Sequence, residues 1–264
     1  MPAKESVIAA ASLCVAAALP GCSAAAPSAA PSAADPPAPT TVHSTAHPAK
    51  ATFAFTVAGD RPVRPSGSQD THAQTPNTTC DSATFAADKA LGARLARAFG
   101  LAGFPVSADL LAHFLTGQGT GVHYRAGSPI AKKARASEAF RALNADVQKT
   151  ILGQLRAGRT RVRLSAAQLP EVAFESTGSD LYWGFRGTQG LTVTGHGTRE
   201  NGRYAGTLSY VIRDSYGFPV GDTLDGFGPP MRYLQTVCGA PRHAGGAHWF
   251  PDTITVTVSF SRPA

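Results

Sequence analysis

The segment Tyr210–Pro219, YVIRDSYGFP, ends an apolar alternating run with a carboxylate and a phenol two residues apart. A carboxylate at a strand end can take or give a proton, and a neighbouring phenol can donate a hydrogen bond. Downstream, MRYLQTVCG supplies Arg232 and GGAHWFPD supplies His248. If the loops bearing them converge, Asp214, Tyr216, Arg232 and His248 form a catalytic site suited to a phosphodiester-type bond. The same aspartate and tyrosine can equally form a buried hydrogen bond that pins a sheet corner.

Other groupings are weaker. Cys80 and Cys238 are the two cysteines outside the N-terminal segment, and in an oxidising compartment such a pair forms a disulfide. The alternative makes Cys238 a nucleophile served by His243 or His248, yet neither histidine completes a nucleophile–base signature. His243, His248 and Asp252 match neither an HExxH helix nor a zinc-ribbon spacing. The glycines of TGQGTG (Thr116–Gly121) follow a helical pattern and lack the Lys-Ser/Thr of a phosphate loop, so they read as a cap and a turn. No metal or organic cofactor is called for. Arg156, Arg159, Arg161 and Arg163 form a basic cluster able to meet phosphates or a membrane surface, but no base-stacking motif accompanies them. Sequence-specific nucleic-acid binding is not expected.

The elements that must position these residues fall into two halves. From 81 to 157 the periodicity is helical. DSATFAADKALGARLARAFG opens on a capping aspartate, SADLLAHFLTG follows, and Ser128-Pro129 opens a third helical region. The strongest stripe places Phe140, Leu143, Val147, Ile151 and Leu155 at spacings of three and four. From 160 to 260 the pattern alternates, in RTRVRL, GLTVTGHGTR, GRYAGTLSYVIRD and DTITVTVSF. DLYWGFRG reads with this β-rich half, its Tyr182, Trp183 and Phe185 set on a sheet face. Asn201-Gly202 is the chemistry of a tight type I′ hairpin. ATFAFTVAG, before the helices, reads as an edge strand or as the end of a tether. The expected class is α+β: an N-terminal helical lobe followed by an antiparallel β-sheet or part-barrel.

The N-terminal segment has its own logic. Lys4 precedes an apolar run, Val7–Leu19, of signal-peptide length and too short to span a bilayer. Leu19-Pro20-Gly21-Cys22 resembles the lipobox of bacterial lipoproteins. That resemblance implies a signal peptide over 1–21, cleavage before Cys22 and lipidation of the Cys22 sulfur. The alternative is an ordinary secretory signal and a fully secreted protein. Residues 22–50 are almost entirely Ala, Pro, Ser and Thr, too poor in large apolar side chains to fold, and read as a disordered tether. The globular domain then spans 51–264.

A second resemblance lies within that domain. HFLTGQG (His113–Gly119), then a helix, then a hairpin ending in Asp-x-Tyr-x-Phe, looks like the C-terminal modules of secreted bacterial polymorphic toxins. The Asp-x-Tyr pair is also similar to that of the colicin M family of lipid II-cleaving bacteriocins. Asp214 and Tyr216 match its Asp-x-Tyr-Asp segment, Gly217 stands in place of the second aspartate, and no His-Arg pair follows closely.

With 24 basic against 17 acidic residues, the formal charge of +7 favours anionic partners. The expectation is an exported lipoprotein, anchored on the outer membrane face, whose basic domain binds an envelope polymer or a protein partner. The alternative is a toxin-like hydrolase acting on a phosphodiester or pyrophosphate envelope substrate.

Overall fold

The computed structural model describes residues 53–62, 79–174, 178–186, 188–219, 226–239 and 243–264. The leader, Cys22 and the tether over 22–50 lie outside the described residues. The fold is α+β, with a six-stranded sheet in the order β2-β6-β5-β4-β1-β3.

Three long strands form its antiparallel centre: β4 (Gly190–Glu200), β5 (Arg203–Tyr216) and β6 (Phe250–Pro263). The β4–β5 link is the two-residue turn that the sequence chemistry dictates. Asn201 and Gly202 both adopt positive φ, 49° and 69°, which matches the twist of the flanking strands. The sheet is mixed, however, and not purely antiparallel. β3 (Arg161–Leu164) joins β1 (Phe53–Arg61) in parallel, and β2 (Val122–Tyr124) joins β6 in parallel. β1 is therefore an interior strand, correcting its reading as an edge. Phe55 and Val57 face the core, and β3 covers the side that would have been exposed. Gly197 on β4 permits the close packing of Phe55, because a Cβ there would lie 2.3 Å from the Phe55 ring.

The helices form as their caps dictate. Asp81 accepts from Thr84 N at the start of α1 (Ser82–Leu101), and Ser128 and Ser137 cap α3 (Pro129–Ala136) and α4 (Glu138–Arg156). The α4 stripe is buried as its periodicity requires, with Phe140, Leu143, Val147, Ile151 and Leu155 in one core with Tyr210, Phe250 and Ile254 of the sheet. Within α2 (Pro105–Thr116), Leu110, Leu111 and Phe114 enter the same core. The helix ends at Gly117 with φ 69°, the left-handed cap expected of that glycine.

Two segments differ from the β-rich reading. Asp180–Phe185 is a helix, α5, because the Ser179 hydroxyl accepts from Tyr182 N and turns the chain. Leu181, Gly184 and Phe185 then fall on one buried face, a helical spacing within a short aromatic run. The aromatics of this segment thus stand on a helix and not on a sheet face. Gly228–Thr236 is α6, opened by Pro229 and Pro230 in its first turn, with Met231 and Leu234 facing inward. Cys238, just past α6, is bonded to Cys80, just before α1, with Cα atoms 5.1 Å apart. Tyr233 Oη accepts from Asp81 N at 2.8 Å beside the bridge.

Candidate functional site: a buried carboxylate pair

Side chains alternate along a strand, so parity decides which residues share a face. On β5, Tyr210, Ile212, Asp214 and Tyr216 are all buried, and on β6 so are Phe250, Asp252, Ile254 and Val256. The antiparallel register sets Asp214 directly opposite Asp252, and Tyr216 opposite Phe250. Two carboxylates therefore face one another on the core side of the sheet, with Cβ atoms about 4.5–5.5 Å apart for any such cross-strand pair.

Their environments differ. Asp214 Oδ1 accepts from Ser215 N at 2.8 Å, and 9% of the residue remains exposed. Asp252 is wholly buried, and neither of its carboxylate oxygens has a hydrogen-bond partner. Burial first, and then the Asp214 charge, raise the Asp252 carboxyl well above the ordinary carboxylate range. Two phenols attend the pair. Tyr216 stacks on Phe250 at 5.5 Å, and burial followed by the charge of Asp252 pushes its pKa up. Tyr124 on β2 is raised by burial and then by Asp252, Asp109 and Asp180. Both phenols are thereby held in their neutral form.

Asp180 shows what a structural buried carboxylate looks like in this protein. It is equally inaccessible, yet Lys133 Nζ donates to it at 2.7 Å and Ser107 N at 3.0 Å. Burying an ion without such partners costs several kcal/mol, roughly. Asp252 has no such partners, and its buried carboxyl is the one pushed toward the protonated form.

No protein-family model, no curated protein and no solved structure matches this chain. The site is therefore argued from its own geometry.

Of the four residues expected to converge, Asp214 and Tyr216 stand together at the pair. His248 precedes β6, its Nδ1 meeting Trp249 O at 2.5 Å and its backbone N–H donating to Phe114 O. Its ring lies against Gly119, where a Cβ would come within 2.8 Å of Nδ1, so the glycine loop after α2 serves as the floor of this imidazole. Arg232 sits on α6 one turn before Gln235, whose Oε1 accepts from Phe218 N just beyond β5. The sequence offers Asp252 only as a metal ligand beside His243 and His248; its pairing with Asp214 is what sequence reasoning missed. Its signal was parity: counting back from Phe260, Val258, Val256 and Ile254, the next inward position is an acid.

Three further histidines have structural surroundings. His113 Nε2 meets Thr120 O at 2.8 Å, His123 Nδ1 meets Thr253 Oγ1 at 2.8 Å, and His243 packs on Phe85 at 4.4 Å. Among the described residues no group of three metal-binding side chains is assembled. Arg161 and Arg163 project from β3 on the exposed side, opposite in parity to buried Val162 and Leu164.

Proposed function

We propose that the chain is an exported lipoprotein, held at the outer membrane face through Cys22, whose domain hydrolyses a phosphodiester or pyrophosphate bond of an anionic envelope substrate. The observation that supports catalysis is the cross-strand pair of Asp214 and Asp252, the latter with both oxygens unpartnered. In this reading the pair holds one proton, on Asp252. The less buried Asp214 takes a proton from the attacking water as the new P–O bond forms. Asp214 then returns that proton to the leaving oxygen as the old P–O bond breaks, while wholly buried Asp252 holds the pair's resident proton beside it. Proton uptake and release balance at Asp214, and the pair ends as it began. The net positive charge favours approach of an anionic substrate. The likeness to colicin M-type Asp-x-Tyr segments points to the same bond class.

A second reading, display of the domain for binding an envelope polymer or a protein partner, is favoured by a separate observation. The outward face of the sheet presents Thr194, His196, Thr257 and Ser259 with Arg161 and Arg163, all exposed.

The experiment is export of the parent, Asp214→Asn and Asp252→Asn chains into the periplasm of a bacterial host, with growth and release of phosphate-bearing envelope fragments measured. Growth arrest with fragment release by the parent is expected, with at least about a hundredfold loss in either variant, the lower end for a proton-transfer group. Equal and harmless behaviour of three folded proteins would reject catalysis and leave the binding reading.

A further inference from the structure

The corner between α1 and α2 has no role in the carboxylate site. α1 ends on Leu101, and the chain reverses through Ala102 and Gly103 (φ 84°) so that Phe104 N donates to Phe99 O at 2.8 Å. Leu101 is 91% exposed, the one exposed large apolar side chain among the described residues. A lone surface leucine means little, but this one ends the helix that carries Phe99 into an aromatic cluster. Phe99 lies 6.5 Å from Phe104 and 5.3 Å from Trp183 of α5, and Trp183 lies 5.0 Å from Tyr182. All four rings are half-buried. Arg186 rests over the Tyr182 ring at 5.5 Å, and exposed Arg97 and Arg94 stand one and two turns before Leu101. Between Asp88 and Asp109 the sequence has no acidic residue.

We infer that this corner is a membrane-interface contact, in which Leu101 enters the acyl boundary of an anionic bilayer, Trp183 and Tyr182 lie at headgroup depth, and the arginines meet lipid phosphates. Three observations select a lipid surface over a protein. Tryptophan and tyrosine favour the interfacial zone, where an apolar body and a polar tip are both satisfied. The charges one and two turns before Leu101 on α1, Arg97 and Arg94, are positive and complement anionic headgroups. The apolar area is one helix corner, whereas a specific protein interface needs about 800 Å² on each partner. No described helix is long and apolar enough to cross a membrane, so the contact is interfacial. It does not require lipidation of Cys22; an anchor there would add to it by raising the local concentration of bilayer.

The test uses the full chain with Cys22→Ser, so that no lipid is attached, and compares it with the same chain carrying Leu101→Asp. Because Leu101 is solvent-exposed, its replacement leaves the core intact. Co-sedimentation is measured with phosphatidylglycerol–phosphatidylcholine vesicles and with phosphatidylcholine alone. A Trp249→Phe background makes Trp183 the sole tryptophan, and its emission is recorded on both vesicles. The expected result is binding to the anionic vesicles with a blue shift of Trp183. Leu101→Asp should weaken binding at least about tenfold, the loss expected for one leucine that no longer leaves water. Equal binding of both chains with an unmoved Trp183 emission would assign vesicle binding to the leader and overturn the inference. So would self-association of the parent that Leu101→Asp abolishes while vesicle binding is unchanged.

Discussion

Asp252→Asn is expected to stabilise the protein near neutral pH and to confer nothing in acid. The sign follows from the proton count. The folded-state pKa of Asp252 is raised, so between the unfolded value and the folded one the native chain binds the extra proton and the unfolded chain does not. Stability on this account is full below the unfolded carboxylate pKa and falls as pH rises through the folded one. Asparagine keeps the shape and cannot ionise, which removes the falling limb. The gain at about pH 7.5 should be on the order of 1 kcal/mol, the low end for replacing buried charge by neutral groups. Denaturant midpoints of parent and variant at about pH 4 and pH 7.5 check it. Midpoints that stay parallel at both pH values would show that Asp252 is ionised at no cost and has a partner. A variant more stable yet inactive is the signature of a group kept for chemistry and not for the fold.

The second large effect is mechanical. The Cys80–Cys238 bridge closes a sequence separation of 158 residues and ties the start of α1 to the end of α6. Constraining so long a loop in the unfolded chain stabilises the native state by about 2–5 kcal/mol. The Cys80→Ser, Cys238→Ser double variant should lose that amount, read as a fall in denaturant midpoint. Reductant should shift the parent toward the double variant and leave the double variant unmoved. Because β5, α6 and β6 follow one another, loosening α6 also frees Gln235 from Phe218 N beside the end of β5. An unchanged midpoint would mean that packing of α1 on α2 holds this end without the bridge.

The legible parts of the fold were those in which one physical rule acts alone. The α4 stripe, the Asn201-Gly202 turn, the Gly117 cap and the Cys80–Cys238 pair each depend on local periodicity, a required positive φ or simple pairing. β1 was misplaced because its partners come from sequence far downstream, and nothing within FAFTVAGDR tells an edge from an interior strand. α5 was taken into the β-rich half because DLYWGF is aromatic, whereas the Ser179 cap decides its conformation. At the site, Asp214 and Tyr216 were visible at the end of an alternating strand. The pairing of Asp252 with Asp214 was not, because it lies in register: one residue of slip would turn Asp252 to solvent and dissolve the pair. His248 and Arg232 were chosen for their chemistry, and chemistry alone says nothing about where an imidazole rests.

The claim on which the account turns is that one proton is shared by Asp214 and Asp252 at neutral pH. The direct measurement is a carbon-13 NMR titration of the aspartate side-chain carboxyls in the full chain, repeated in Asp214→Asn. The account predicts one carboxyl that keeps its protonated shift well above the ordinary carboxylate range, and a lower midpoint for it once the Asp214 charge is removed. If every aspartate carboxyl titrates within the ordinary carboxylate range, the pair holds no proton and cannot act as acid and base together.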